Sequence, residues 1–560
     1  MKLKRLIVNN FRGLKGEENI IDFEGSDIIF LIGKNNYGKS TFLHAYNFFV
    51  EPKSKSTLED FFNKDSSLRI EITGIFITEE NDENDKILSK EDPGWIHKWV
   101  DKEGFIRIKK VWSNVGEEGK KQTYNPVTTV FEDGGFGGFD SLLKRYAPTA
   151  IPINAVTSAE ELEKQINEII TKKHIKKLET DYADKYSTIV TGLKELKDDI
   201  SKSSDISKIN DKMNTFFSEV FPDLALQIYS IPESGIDIAK TLKSTHGVSV
   251  TDKELLEEMY DLKKNGHGVM RQAFFSFLST LETDLDKKRK EYLILFEEPE
   301  LYLHPEAVFS LREQLYKLAK NSPFQVLCAT HSPLMIDTSK PHSSLVRLTK
   351  DSRKNTKTYQ VKFDVYEEEE KNFLQMINRF NPHICECFFS DEVVLVEGDT
   401  ESVIYRELIS RYYKNVKEVF VLNTGSKANM VFYQKILTHF GIKHVVVHDI
   451  DSPTYETQKG EIKTNSMWTF NKSIWEQMTE SNKLFPGLSR RYTHYLNFEM
   501  AHEYKENKTK GKPLSAYEFA QNINLESELP CIEFLDDLFG ECKINHSQEE
   551  IESYFPVSTP

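Results

Sequence analysis

The stretch GKNNYGKST at residues 33–41 narrows the possible folds more than any other feature of this chain. It matches GxxxxGK[ST], a turn that works only where a buried strand runs into a helix. The flanking residues meet that condition. SDIIFLI at 26–32 reads as a buried strand, and TFLHAYNFFV from Thr41 has helical spacing. Gly33 and Gly38 let backbone amides approach phosphates with no Cβ in the way, and Asn35 and Asn36 complete the loop. Lys39 is positioned to bridge the β- and γ-phosphates and Ser40 to hold Mg²⁺. Thr41 follows at the helix N-terminus, which favours negative charge. The motif calls for ATP with Mg²⁺ and for an α/β domain to carry it.

Such a loop needs a second acidic strand. EYLILFEEPELYLHP at 291–305 supplies an apolar run that ends in Glu297, for the Mg²⁺ shell, and Glu298, as the base for water. His331 follows another buried run, in ATHSP, where a histidine can sense the γ-phosphate. Residues 68–78 and 105–112 alternate as strands of a β-rich lobe, and SSLVRL and TYQVKF form a hairpin that closes this domain. Ser158 and Glu161 make a capping box. Ile175, Leu178, Tyr182, Tyr186, Ile189, Leu193, Leu196 and Ile200 then recur at threes and fours. That spacing suits a helical hairpin arm, a coiled-coil seam or a helix packed on its own domain. SKSSD at 201–205 reads as a turn, 251–288 as helical, and YEEEEKNFLQMI at 366–377 as a connecting helix.

From Ser390 the pattern changes. DEVVLVEGDTE, KEVFVLNTGSK and KHVVVHDID are buried strands that end in polar residues and are separated by helical stretches, an α/β pattern with a parallel sheet. Glu397 ends the first of these strands, and Glu401 lies one helical turn further on. Asp449 and Asp451 end the third. Carboxyl ends of parallel strands are where α/β sheets build sites. Carboxylates converging there repel unless cations sit between them, and hard oxygen donors select Mg²⁺ or Mn²⁺. Two such ions stabilise the attacking and leaving oxygens of a phosphodiester displacement.

Composition sets outer limits. The 560 residues amount to several domains, 39% hydrophobic and 29% charged, with net charge −15. That balance neither supports nor excludes nucleic-acid binding, because a local basic groove survives any net charge. Five scattered cysteines make no disulfide framework, and the CxC of Cys385 and Cys387 lacks a second metal-binding pair. No stretch reaches the ~20 apolar residues of a membrane span. The N-terminal LIV is too short for a signal peptide. The expectation is a cytoplasmic, soluble protein with no membrane partner.

In this order, NFRGL, GKNNYGKST, EEPELYLHP and ATHSP resemble the ABC-type ATPase heads of the RecF and SMC proteins. The resemblance implies that Arg12 lies near the nucleotide and that heads pair around ATP, as a homodimer or homotetramer. A signature loop then reaches the partner's nucleotide. Here that loop is NGHGVMRQ, with Gly266 and Gly268 as donors and His267 in place of a small residue. Glu297 replaces the usual aspartate, so slow or regulatory hydrolysis is expected. The second set of motifs resembles the Toprim domain. By that resemblance Glu397 serves acid–base chemistry or metal binding, Asp449 and Asp451 hold metal, and Glu401 assists.

An ABC-type head followed by a Toprim domain is similar to the OLD (overcoming lysogenization defect) family of nucleases, which includes the nuclease subunit of the Gabija defence system. The family's glycine-and-lysine turn is matched by Gly425, Ser426 and Lys427. Its late metal acid is matched by Glu499 and its transition-state lysine by Lys512, while Asn497 stands where aspartate is usual. The implied organisation is an ABC/RecF-like ATPase domain in two parts, 1–154 and 251–365, around a helical insertion and dimerisation arm at 155–250. A linker helix at 366–389 and a Rossmann-like Toprim domain at 390–560 follow. The implied function is an ATP-regulated, metal-dependent DNA endonuclease of anti-phage defence, working alone or with a second defence protein or nucleic-acid module. Two other readings stay open on the sequence: a DNA clamp with an inert Toprim domain, and a topoisomerase. The stretch after Asp451 is short for the separate breakage domain a topoisomerase needs.

Overall fold

The computed structural model describes residues 1–77, 97–135, 143–170, 204–230, 246–280, 292–362 and 382–555, with short gaps at 145, 156–157, 168–169, 253–258, 262–263, 321–322, 415 and 458. The chain forms two compact units. One comprises Met1–Leu31, Asn35–Met335 and Leu348–Thr358; the other comprises Ile336–Arg347 and Tyr359–Pro560, with Ile32–Lys34 grouped to it.

The first unit opens with β1 (Lys2–Asn9), β2 (Ile20–Asp22), β3 (Ile28–Ile32), β4 (Ile70–Ile77), β5 (Phe105–Trp112), β6 (Lys120–Asn125), β7 (Val130–Asp133) and β8 (Thr149–Ile153). An antiparallel sheet runs β2-β1-β4-β5-β6-β7, the β-rich lobe expected from the alternation of 68–78 and 105–112. The insertion and the stretch just after it contribute β9 (Leu224–Ser230), β10 (His246–Asp252) and β11 (Met259–Asp261). Then come β12 (Tyr292–Glu297), β13 (Phe324–Ala329), β14 (Leu345–Lys350) and β15 (Thr356–Gln360), and a second sheet is ordered β15-β14-β3-β13-β12-β8. Within it β3, β13, β12 and β8 are parallel. β3 and β13 are buried at every residue, as expected of parallel strands covered on both faces. Helix α1 (Lys39–Val50) leaves the phosphate loop and buries Phe42, Leu43, Ala45, Tyr46, Phe49 and Val50.

The insertion differs from a purely helical element. Helix α2 (Ser204–Phe217) starts inside the segment read as a turn, because serine and aspartate serve helix starts as readily as turns. It packs on a three-stranded sheet ordered β11-β10-β9. The sequence signal for helix over 251–288 is overridden at its start by β10 and β11, and helix α3 begins only at His267 and runs to Thr280. Two helix asparagines one turn apart bind the strand backbone. Asn210 Oδ1 accepts from Ile228 N at 2.7 Å and Asn214 Oδ1 from Leu226 N at 2.6 Å. They cover the free edge of β9, which would otherwise present unpaired groups. Ser158 Oγ accepts from Glu161 N at 3.3 Å, the backbone half of the predicted capping box. The stripe from Ile175 to Ile200 and the segment 366–377 lie outside the described residues. Helix α4 (Pro305–Ala319) follows β12.

The second unit holds β16 (Glu392–Val396), β17 (Val419–Asn423), β18 (Lys443–Asp449), the exposed hairpin β19 (Thr454–Glu456) and β20 (Ile462–Thr464), and β21 (Ser489–His494). A parallel sheet runs β17-β16-β18-β21. The strand β21 has no counterpart in the sequence reading, because SRRYTH is polar yet fully buried. Its arginines are absorbed by partners: Arg491 by the carbonyls of His546 and Asn471, and Arg490 by Asp537. The helices are α5 (Asp399–Tyr412), α6 (Met430–His439), α7 (Ser466–Leu484), α8 (Phe498–Ala501), α9 (Lys512–Asn522), α10 (Pro530–Phe539) and α11 (Gln548–Ser553). One core gathers Val394, Val396, Ile404, Tyr405, Val447, Tyr492 and Phe534. Cys385 and Cys387 are buried.

Candidate functional site

In the phosphate loop Gly33 has φ 142° and Gly38 φ 97°, both in the left-handed region, and Asn36 has φ 63°. A Cβ on Gly38 would stand 2.9 Å from Leu14 Cδ2, so conformation and space both call for glycine there. Asn35 and Asn36 are exposed, and Ser40 and Thr41 lie in the first turn of α1. Lys39 is buried, and its Nζ lies 3.3 Å from His331 Nδ1. Burial lowers Lys39 to about 8 against the pull of Glu298 and Glu300. Burial and then Lys39 lower His331 to about 4, so the imidazole is neutral at physiological pH and accepts from the lysine. Glu298 Oε1 lies 3.6 Å from His331 Nε2, on a residue with φ 46°. Lys39, Glu298 and His331 therefore come together, far apart as they are in sequence.

Two residues that lie in the quoted motifs but were given no role from sequence hold this arrangement. Arg271 is buried in α3 and donates Nη1 to Glu298 O at 2.8 Å and Nη2 to Glu297 O. Glu300 Oε1 accepts from Thr330 Oγ1 at 2.7 Å, His331 N at 2.9 Å and Ser332 N at 3.1 Å, and so binds the histidine loop to the acidic turn. A charged residue inside the apolar run of α3 was the available signal for Arg271. Replacing Arg271 by alanine is expected to remove the two bonds that tie α3 to the acidic turn and cost about 1–3 kcal/mol, read as a lower melting temperature.

The signature-like loop separates into two roles. A Cβ on Gly268 would meet Tyr302 O at 2.8 Å, whereas Gly266 faces open space. His267 stacks on Tyr302 with centroids 5.3 Å apart. Gly268 is thus required by packing within the unit. Arg12, at φ 50°, pairs with Asp60 at 3.1 Å.

In the parallel sheet the chain winds one way from β16 to β17 and the other way to β18 and β21, so the β16–β18 junction is a topological switch point. Glu397 follows β16 and Asp449 ends β18, and Asp449 N donates to Glu397 Oε1 at 2.8 Å. Glu401, in the first turn of α5, is buried. Burial, then Asp449, pushes Glu401 up to about 7. Glu397 and Asp449 are also pushed far above the carboxylate range, each by burial and then by a neighbouring carboxylate, Asp449 and Asp451 respectively. Glu499, on α8, adds to the repulsion on Asp449 and Glu401.

The buried Lys427 holds the far side. Its Nζ donates to Asp451 Oδ2 at 2.7 Å and to the Asp449 carbonyl. Its charge lowers Glu397 and Asp449. Gly425, at φ 75°, turns the chain before it. Lys512 stands exposed at the start of α9, and the cation bearing on Glu397 and Asp449 is Lys427. Asn497 caps α8, its Oδ1 accepting from Met500 N at 2.8 Å, a role that aspartate would serve equally.

Among the described residues no three His, Cys, Asp or Glu side chains are already gathered as metal ligands. Asp451 turns to Lys427, and Glu397 to the Asp449 amide. The donors nevertheless fit a hard divalent cation. They are crowded oxygens that repel one another, and Asp449 Oδ1 is buried without a hydrogen-bond partner.

Fold and sites together define a phosphate-loop ATPase joined to an α/β domain with a carboxylate site at its switch point. Residues 1–336 match the family model described as AAA ATPase domain. Residues 388–451 match the one described as overcoming lysogenization defect protein-like, TOPRIM domain. The chain belongs to the AAA ATPase domain family and carries an OLD-like TOPRIM domain after it, as the motif order implied. It is 24% identical over 469 residues to the Old nuclease of Escherichia phage P2, covering 80% of this chain and 77% of that protein. It is 25% identical over 264 residues to endonuclease GajA of Bacillus cereus (strain HuB5-5), covering 41% and 38%. Among solved structures, an Smc head domain with an extended coiled coil from Pyrococcus furiosus superposes with a TM-score of 0.41 at 12% identity, covering 67% of this chain and 99% of that one. No helix of the described residues is long and apolar enough to cross a membrane.

Proposed function

We propose that this chain is a DNA endonuclease of anti-phage defence, working with Mg²⁺ or Mn²⁺ in the cytoplasm and controlled by its ATP-binding unit. The observation that carries the reading is the repelling set of buried Glu401 and partly buried Glu397 and Asp449 at the switch point, the last two joined by the Asp449 amide. The likeness to Old nuclease and GajA supports it.

When bound, the divalent ions supply charge stabilisation for the attacking and leaving oxygens of a phosphodiester. Glu397, Glu401, Asp449, Asp451 and Glu499 are the side chains that would hold them. Glu397 is also suited to carry a proton, because its partly buried carboxyl, crowded by Asp449, is hard to ionise. Lys427 keeps the Asp449–Asp451 segment in position through one carboxylate and two carbonyl contacts. Lys512, exposed at a helix start, is free to meet a DNA phosphate. Arg12, Lys39, Ser40, Glu297, Glu298 and His331 would hold and sense ATP in its own unit. Gly266 would reach a second copy's nucleotide in a homodimer or homotetramer, with slow turnover. Gly268 serves the same loop from within. A second defence protein or a nucleic-acid module remains a proposed partner. The inert-clamp reading is not favoured, given nuclease relatives and the carboxylates kept at the strand ends.

The test is nicking of supercoiled plasmid with Mg²⁺ or Mn²⁺. Cleavage unchanged in Asp449→Ala protein rejects the reading. Lys39→Ala is expected to weaken ATP binding by at least about tenfold, as loss of a charge-assisted contact does. It should also remove the effect of ATP on cleavage. An ATP response surviving in that variant would separate the nuclease from its proposed control.

A further inference from the structure

His494 ends β21 directly opposite Asp449 on the neighbouring parallel strand, so the two side chains leave the sheet on the same face. His494 Nδ1 lies 3.4 Å from Asp449 Oδ1. Its other nitrogen, Nε2, lies 3.2 Å from the hydroxyl of Tyr405 on α5. Tyr405 and His494 are buried. Asp449 Oδ1 and His494 Nδ1 make no hydrogen bond among the described residues, so the 3.4 Å contact sets two buried, unsatisfied polar atoms face to face. The ring is held on several sides. It packs edge-on against Phe498 at 5.1 Å, His502 at 5.0 Å and Tyr492 at 5.7 Å between centroids.

With Asp449 ionised, as it is when it holds a cation, these contacts select one tautomer. If Tyr405 donates to Nε2, the imidazole proton sits on Nδ1, the atom that faces Asp449 Oδ1 at 3.4 Å. The opposite tautomer would set the Nδ1 lone pair against a carboxylate oxygen in a dry site, where an unmade hydrogen bond is costly. A carboxylate held at one oxygen loses freedom to rotate and presents its remaining donor in a fixed direction. Outer partners of this kind orient metal-ligating side chains.

We propose that Tyr405 and His494 form a buried hydrogen-bond row that orients Asp449, which makes His494 a positioning residue of the carboxylate site. The inference rests on the metal-dependent nuclease reading and adds to it a determinant of metal affinity. The row is built across α5, β21 and β18, so it ties the strand carrying Asp449 to the helix carrying Glu401.

The test uses the full chain and Mn²⁺ alone, titrated by electron paramagnetic resonance of the free ion. In His494→Asn the side-chain amide overlays Nδ1 and can still donate to Asp449. In His494→Gln it overlays Nε2 and cannot. Expected is a loss of Mn²⁺ affinity of about 10–100-fold for His494→Gln, with His494→Asn retaining most of it, and a smaller loss for Tyr405→Phe. Equal affinities in Asn and Gln proteins, whether both normal or both weakened, would overturn the row, since packing alone treats them alike. Melting temperatures of the same samples show that each variant is folded. Asp449→Ala separates the two levels of inference. If it leaves Mn²⁺ binding intact, the metal reading itself fails. If it abolishes binding while His494→Gln does not weaken it, only the row fails.

Discussion

Replacing Glu397 by glutamine is expected to lower metal-dependent DNA cleavage by at least about a thousandfold, within the range lost when an acid–base group is removed. The substitution isolates charge from structure. Glu397 Oε1 accepts a hydrogen bond from Asp449 N at 2.8 Å, and a glutamine oxygen can accept the same bond. The strand ends then stay together while the carboxylate is lost. Glu397→Ala would remove both, so comparing the two variants separates the holding role from the chemical one. Plasmid nicking measured with Mg²⁺ and with Mn²⁺ is the assay. Near-normal cleavage by Glu397→Gln would move the essential charge to Asp449 or Glu401. Nucleotide binding should be unaffected in either variant, because Lys39 and His331 belong to the other unit.

The second large effect is a stability that depends on pH and metal together. Glu397 and Asp449 are raised to about 8 and Glu401 to about 7, mainly by burial and then by neighbouring carboxylates. In the unfolded chain such groups titrate near 4. Between roughly pH 4 and 8 the folded state therefore binds more protons than the unfolded one, and stability must fall as pH rises through that window. A divalent cation reverses the trend, because it binds the ionised carboxylates and replaces the protons. Without metal the melting temperature should drop by on the order of 5 °C from pH 5.5 to pH 8, and Mn²⁺ should restore most of it at pH 8. Metal addition at pH 7 should also release protons to a weakly buffered solution. A metal-free melting temperature that rises with pH across the window would contradict the crowded-carboxylate account.

The ATPase half was largely legible in the sequence, because its signals are local. A phosphate loop needs its glycines, lysine and serine contiguous between a strand and a helix, and each acidic or histidine motif sits directly after an apolar run. The features that hold those motifs together were not legible. Arg271 reaches the carbonyls of Glu297 and Glu298 from another element, and Glu300 grips the His331 loop across two strands. The insertion misled for a related reason. Its polar, charged composition suits a helix, but tertiary contacts such as Asn210 to Ile228 settle a strand instead.

The carboxylate half divides in the same way. Residue identity by itself determined the acids at strand ends, the oxygen-only donor chemistry and the need for charge compensation. Only the tertiary structure decided which strands become neighbours. The reversal of winding between β16 and β18 brings Glu397 to Asp449, and β21, too polar to be read as a buried strand, brings His494 against the same aspartate. It also decided which cation compensates. Lys427 is buried against the Asp449–Asp451 backbone, while Lys512 stays in solvent. Sequence patterns record what a residue is and how its neighbours alternate. Pairing between distant strands, and the burial that raises a carboxylate or fixes an imidazole, exist only once the chain has closed on itself.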